Sequence, residues 1–162
     1  MANPSKAKGT RQESAICKFI NDWAGDTVCE RVALHGNRDE GDLRIKVDDL
    51  VLTGESKHCK SYPNEKLLEG FKRQTVTENE NSGQDGGVLI VNLPGCGVRR
   101  YECWMQPATW MILHSVDIGD DAPLRLVGRL RQIMKYDPNG WVRLTMADFC
   151  YLCFGQPKED KS

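Results

Sequence analysis

A short alternating stretch constrains the fold of this 162-residue chain more than any other feature. Residues 43–47 alternate apolar and charged side chains, and the pair Asp48-Asp49 follows directly. A period of two is typical of a β-strand with one buried face, and a two-residue polar turn joins antiparallel strands. Residues 50–57 then form the returning strand. The chain therefore contains a β-hairpin with one side facing the core.

The two-residue turn also predicts the register of this hairpin. If Val47 pairs with Leu50, counting back along both strands places Asp42 opposite Glu55, with Cβ atoms about 4.5–5.5 Å apart. Lys57 projects from the same face, because side chains two residues apart on a strand point the same way. The opposite face collects apolar side chains: Leu43, Ile45, Val47, Leu50 and Leu52. The polar face thus brings two carboxylates and an amine together at one end of the hairpin.

Two carboxylates this close repel each other, and the pKa of one should rise unless a cation lies between them. Mg²⁺ prefers oxygen ligands and is commonly held by one or two carboxylates. A neighbouring lysine can hold a phosphate or orient an attacking water. The arrangement fits metal-assisted hydrolysis of a phosphodiester. The alternative is a solvated hairpin face whose charges merely pair across the strands.

The rest of the chain mixes helix and strand signals. Thr10 and Glu13 form a capping-box pattern that predicts a first helix at about residues 11–24. Further strands are predicted at 28–34, 87–93, 98–104 and 141–144. Further helices are predicted at 64–80, beginning at Pro107, and at 149–154 after a capping box at Thr145. Residues 123–136 are predicted as a helix or a strand. This order predicts an α/β fold with a mixed sheet.

Composition limits the cellular setting and the partners. The formal net charge is −1, which excludes a globally basic nucleic-acid binder but not a local basic patch. No apolar run is long enough for a membrane span, and the polar start is unlike a signal peptide, so we expect a cytoplasmic protein. One domain at 10–154 is predicted, between a flexible basic arm at 1–9 and a flexible tail at 155–162.

The cysteine pattern predicts reduced thiols. There are seven cysteines, an odd number, and Cys150-x-x-Cys153 has no second pair to complete a zinc site. We expect this pair to act as small apolar residues on one helix face, with neither zinc nor disulfides.

Gly41-Asp42 followed by Glu55-Ser56-Lys57, with Glu13 on the first helix, resembles the PD-(D/E)XK nuclease superfamily. The opening Thr10-Arg11-Gln12-Glu13 is similar to that of its Holliday junction resolvases of bacterial or phage type. The resemblance covers about residues 8–95 and implies a restriction-endonuclease-like αβββαβ core. Gly41 stands where the family has a proline.

The resemblance implies roles for these residues. Asp42 and Glu55 would bind Mg²⁺, or Mn²⁺ in its place, together with the Ser56 carbonyl and with Glu13, directly or through water. Lys57 would stabilise the phosphate in the transition state or activate the water. The alternative for Glu13 is a structural role in the capping box. Residues expected to contact DNA are Lys8, Arg11, Arg38, Lys60, Arg73 and Gln74.

The implied protein is a homodimeric endonuclease acting on branched or duplex DNA in a bacterial cell or phage-infected host. The alternatives are a restriction- or repair-type nuclease and a non-catalytic DNA-binding module on the same fold. Aromatic residues of the C-terminal half serve either as core or as a dimer interface. They are Trp104, Trp110, Tyr136 and Trp141.

Overall fold

The computed structural model describes residues 4–33, 39–115 and 140–158. These residues form six strands and four α-helices around one sheet. In chain order the elements are α1 (Pro4–Ala24), β1 (Cys29–Arg31), β2 (Leu43–Val47), β3 (Leu50–His58), α2 (Glu65–Ser82), β4 (Gly86–Asn92), β5 (Glu102–Met105), α3 (Pro107–Ser115), β6 (Val142–Thr145) and α4 (Met146–Phe154). The predicted α/β class is confirmed.

The six strands lie in the sheet in the order in which they occur along the chain. Among the described strands, β3 and β4 alone pair in parallel, and the other neighbouring pairs are antiparallel. Two parallel neighbours need a crossover connection, and α2 provides it. The sheet is therefore mixed, as the sequence predicted.

The two faces of the sheet are covered by different helices. On one face α1, α3 and α4 pack against the sheet, and their contacts bury the main core around Ile20, Leu52 and Phe149. On the other face α2 buries a smaller cluster that includes Leu68 and Leu89. Because neighbouring residues of a strand point to opposite faces, β3 contributes to both layers.

The hairpin register agrees with the prediction. Val47 pairs with Leu50 and Leu43 pairs with Gly54, with Asp48 in the turn at a φ of +51°. Of the five apolar side chains expected on the core face, four are fully buried and Leu50 is half-buried. The hairpin therefore presents its polar face towards α2, as its alternation requires.

The predicted start of the first helix was wrong. α1 begins at Pro4, so Thr10 lies inside the helix and is not its N-cap. Proline suits the first helical position and the following Lys and Ala residues favour a helix, which outweighs the single Gly9. Residues 4–9, predicted as part of the flexible basic arm, are helical, and the capping-box role of Glu13 is excluded.

Two other predictions need correction. The expected strand at 98–104 is a 3₁₀ helix (Val98–Arg100) followed by β5, because local hydrogen bonds close this turn before β5 pairs with β4. The expected flexible tail begins with ordered residues: the Trp23 indole donates to Gly155 O at 2.9 Å, and Lys158 N donates to Trp23 O at 2.9 Å. The element predicted at 123–136 lies outside the described residues.

The aromatic residues of the C-terminal half that the structure describes pack within the chain. Trp110 is buried in the main core. Trp104 is half-buried beneath the Lys72 ammonium, which lies 4.5 Å from its ring centroid and 5.8 Å from that of Trp141. Tyr136 lies outside the described residues. Among the described helices, none has the length and hydropathy needed to cross a membrane.

Candidate active site

Glu55 and Lys57 meet on the side of β3 that faces α2. The Glu55 side chain is almost fully enclosed, and Lys57 Nζ lies 2.9 Å from its Oε1 atom. The Lys57 ammonium also lies 5.5 Å from the centroid of the Phe71 ring on α2. Residues 55 and 57 point to the same side of the strand, and α2 packs over that side. The Lys57 amine therefore forms an ion pair with the buried Glu55 carboxylate.

Asp42 is attached to the same part of β3 by hydrogen bonds. Regular pairing of the hairpin ends at Leu43 and Gly54, and Asp42 N donates to Gly54 O at 2.9 Å. The amide of Ser56 donates to Asp42 Oδ2 at 2.9 Å. Asp42 thus lies at the predicted end of the hairpin, bound to the backbone next to Glu55.

Gly41 has a backbone conformation that proline cannot adopt. Its φ is +88°, in the region that favours glycine, whereas proline is fixed near −65°. A Cβ atom on Gly41 would also come within 2.5 Å of Thr53 Cγ2 and 3.2 Å of Gly54 O. The backbone before Asp42 therefore requires a glycine.

Both carboxyl groups have raised pKa values. Burial is the main cause that raises the pKa of Asp42 to about 7, and the charge of Glu55 adds to it; the Ser56 amide acts in the opposite direction. Burial also raises the pKa of Glu55 to about 9, with a contribution from the neighbouring Glu78 carboxyl group, while Lys57 opposes the shift. Raised pKa values were expected for two close carboxylates, but burial and not their mutual repulsion is the main cause of both shifts.

Glu78 and Gln74 on α2 complete the surroundings of Glu55. Glu78 is 2% exposed. Gln74 Nε2 donates to Glu78 Oε1 at 2.7 Å and lies 3.4 Å from Glu55 Oε1. Within the part of the chain that the structure describes, the buried atoms Glu55 Oε2 and Glu78 Oε2 have no hydrogen-bond partner. Gln74, which was expected to contact DNA, hydrogen-bonds to both carboxylates.

Glu78 was not predicted as a site residue, although the spacing of buried residues on α2 indicated that its side chain is buried. Leu68, Phe71 and Thr75 mark the helix face that packs on the sheet, and Glu78 continues the same spacing. A glutamate in line with these buried positions indicates a charge held inside the fold. That pattern alone could not show which carboxylate it meets.

Glu13 is not brought into this cluster. Its Oε2 atom accepts from Arg31 Nε at 3.0 Å, and Arg31 also donates to the Thr10 hydroxyl at 3.3 Å. The charge of Glu13 nevertheless contributes to the raised pKa of Asp42, so the two carboxylates are electrostatically coupled. Next to Glu13, Gln12 hydrogen-bonds to His58 Nδ1 at 2.7 Å and links α1 to the end of β3.

The residues expected to contact DNA are spread around the site. Arg11 on α1, Lys60 after β3 and Arg73 on α2 are exposed to solvent. Lys8 lies in the first part of α1. Arg38 lies outside the described residues. The exposed cations among them are available for phosphate groups.

No protein-family model, curated protein or solved structure matches this chain. Two desolvated carboxylates and the unpartnered Glu55 Oε2 fit a hard divalent cation, which takes oxygen ligands. The residues described do not include three or more His, Cys, Asp or Glu side chains grouped to hold a metal. Asp42 and Glu55 are the carboxylates that would hold such an ion.

Proposed function

We propose that this protein is a metal-dependent endonuclease that hydrolyses DNA phosphodiester bonds, acting on branched DNA such as a four-way junction. The observation that carries the proposal is the meeting of Asp42, Glu55 and Lys57 at the end of the hairpin. The two desolvated carboxylates suit a divalent cation. The amine, within hydrogen-bonding distance of one carboxylate, suits a phosphate next to that cation.

The residues divide the chemistry between them. Asp42 and Glu55, with the Ser56 carbonyl, would hold Mg²⁺, which supplies Lewis acidity and lowers the pKa of a bound water. Lys57 contributes its amine to the phosphate or to the attacking water. Gln74 holds the Glu55 carboxylate in position. Glu13 would assist through its charge or through water while it is paired with Arg31.

DNA binding relies on local rather than overall charge. Arg11, Lys60 and Arg73 are exposed and contribute positive charge although the whole chain carries a net charge of −1. Neutralising phosphates with a few such cations gives affinity without sequence information. Preference for a junction would then come from DNA shape, and a homodimer would supply the two sites needed for paired cuts.

Cleavage of a synthetic four-way junction, compared with linear duplex of the same sequence, tests the proposal. With Mg²⁺ or Mn²⁺ the protein should cut the junction in two strands of like polarity. Asp42→Asn should reduce cleavage by about 100-fold or more, because a ligand is lost. Asp49→Asn, in the exposed turn of the same hairpin, is the matched control and should cut like the parent.

Each other result leads to a different conclusion. Equal cutting of junction and duplex would indicate a restriction- or repair-type nuclease and not a junction resolvase. Tight DNA binding without any cleavage would indicate a non-catalytic module. Unchanged cleavage by Asp42→Asn would overturn the assignment of the site.

A further inference from the structure

Two cysteines outside the candidate active site lie in direct contact. The Cys29 thiol on β1 donates to Cys17 Sγ on α1 at 3.2 Å. Cys17 is 8% exposed and Cys29 is 2% exposed, and both are free thiols. A disulfide has an S–S distance of about 2.05 Å, so a shift of roughly 1 Å would bring the sulfurs to bonding distance.

The contact is held by hydrogen bonds on both sides of the thiols. Glu13, Cys17 and Asn21 follow one another at four-residue spacing and therefore share a face of α1. The Asn21 amide accepts from Cys29 N at 2.8 Å and donates to Cys29 O at 3.0 Å. At the other end, Glu13 pairs with Arg31 at 3.0 Å. These hydrogen bonds on both sides fix the position of Cys29 next to Cys17.

We propose that Cys17 and Cys29 form a redox-modification site, at which a two-electron oxidant such as hydrogen peroxide converts the dithiol into a disulfide that joins α1 to β1. The Cys17 thiolate attacks the peroxide, forming a sulfenic acid and releasing hydroxide. Cys29 then attacks the sulfenic sulfur, the second oxygen leaves as water, and the disulfide forms. Overall, two thiols and one peroxide give one disulfide and two waters.

The order of attack follows from the surroundings of the two thiols. Cys17 is the more exposed, and the hydrogen bond from Cys29 lowers its pKa. The same contact and burial raise the pKa of Cys29. Cys103 and Cys153 are buried, and burial raises their pKa values well above the usual range. Of the two thiols in this pair, Cys17 is therefore better suited to react first.

Peptide mapping of the intact protein tests this directly, because trypsin separates the two cysteines by cutting after Lys18. The reduced protein is treated with hydrogen peroxide, unreacted thiols are alkylated under denaturing conditions, and the digest is analysed by mass spectrometry. We expect the peptides Gln12–Lys18 and Phe19–Arg31 to be linked, about 2 Da below their summed mass, and to separate with dithiothreitol. Thermal unfolding of the oxidised protein should shift upward by about 5–10 °C.

Variants provide the matched comparison. Cys17→Ser should abolish the linked peptide and the thermal shift, whereas Cys153→Ser, equally enclosed but outside the pair, should keep both. Detection of both peptides in unlinked form after oxidation in the wild-type protein, or linkage of Cys29 to another cysteine, would overturn the proposal. The result is independent of DNA cleavage, so either proposal can fail without the other.

Discussion

Asp42 and Glu55 determine how the stability of the metal-free protein depends on pH. Both folded pKa values are raised, to about 7 and about 9, whereas free carboxyl groups titrate near pH 4. The folded state therefore binds more protons than the unfolded state between these values. The associated stability is fully present below about pH 4 and is lost as the pH rises through about 7 and then about 9.

Asp42→Asn should stabilise the metal-free protein at about pH 8, by about 1–3 kcal/mol, because asparagine removes a half-buried charge. Its carbonyl oxygen can still accept the Ser56 amide. Urea unfolding at about pH 8 and about pH 4 measures the effect, which should disappear at the lower pH where Asp42 is neutral. A variant less stable than the parent at about pH 8 would show that the charge of Asp42 does not destabilise the folded protein.

Lys57→Ala should lose cleavage but keep metal affinity. The amine is expected to act on the phosphate or the water and not on the ion, so cleavage should fall by about 10²–10⁴-fold. Calorimetric titration with Mn²⁺ should show weaker binding for Glu55→Gln and near-parental binding for Lys57→Ala. Equal losses of metal affinity in the two variants would contradict this division of roles.

At the scale of elements, the Asn21 side chain of α1 hydrogen-bonds to the backbone of β1 and of the residue before it. Asn21 accepts from Val28 N and Cys29 N at 2.8 Å and donates to Cys29 O at 3.0 Å. β1 has three residues, and among the described strands it pairs with β2 alone. These three hydrogen bonds therefore attach the edge strand to the helix.

Asn21→Ala should destabilise the protein by about 2–4 kcal/mol, because part-buried backbone groups lose their partners. Ser14→Ala, at an exposed position of the same helix, is the control and should change stability little. Urea unfolding of both variants decides the matter. A loss for Asn21→Ala no larger than for the control would mean that β1 is held mainly by β2.

Elements with strong local signals were predicted well. α2 begins after Asn64, whose side chain accepts from Leu67 N at 2.8 Å, and ends at Gly83 with a φ of +69°. α4 follows Thr145, which caps it through Asp148 N as its sequence indicated. The start of α1 was missed because a plausible capping pattern at Thr10 lay within a longer helix.

At the scale of the whole molecule, the proposed junction substrate requires two active sites. We expect the protein to be a homodimer in solution and to bind a four-way junction more tightly than linear duplex. Affinity should fall steeply between about 50 and 200 mM salt, because phosphate contacts release counterions. Sedimentation and titrations with labelled DNA measure both properties. A protein that stays monomeric on the junction, or binds both DNAs equally at moderate salt, would favour a general nuclease.

The sequence by itself determined the hairpin, its register and the face on which Glu55 and Lys57 lie. These features are local: the turn has two residues and side chains alternate along a strand, so the outcome follows from counting. Tertiary structure alone decided which distant groups meet them. The packing of α2 brings Gln74 and Glu78 onto Glu55, and the packing of α1 against β1 takes Glu13 to Arg31 and Cys17 to Cys29. Such contacts depend on how the helices pack on the sheet. That packing is determined by the burial of apolar surface over the whole molecule, which a local sequence pattern does not show.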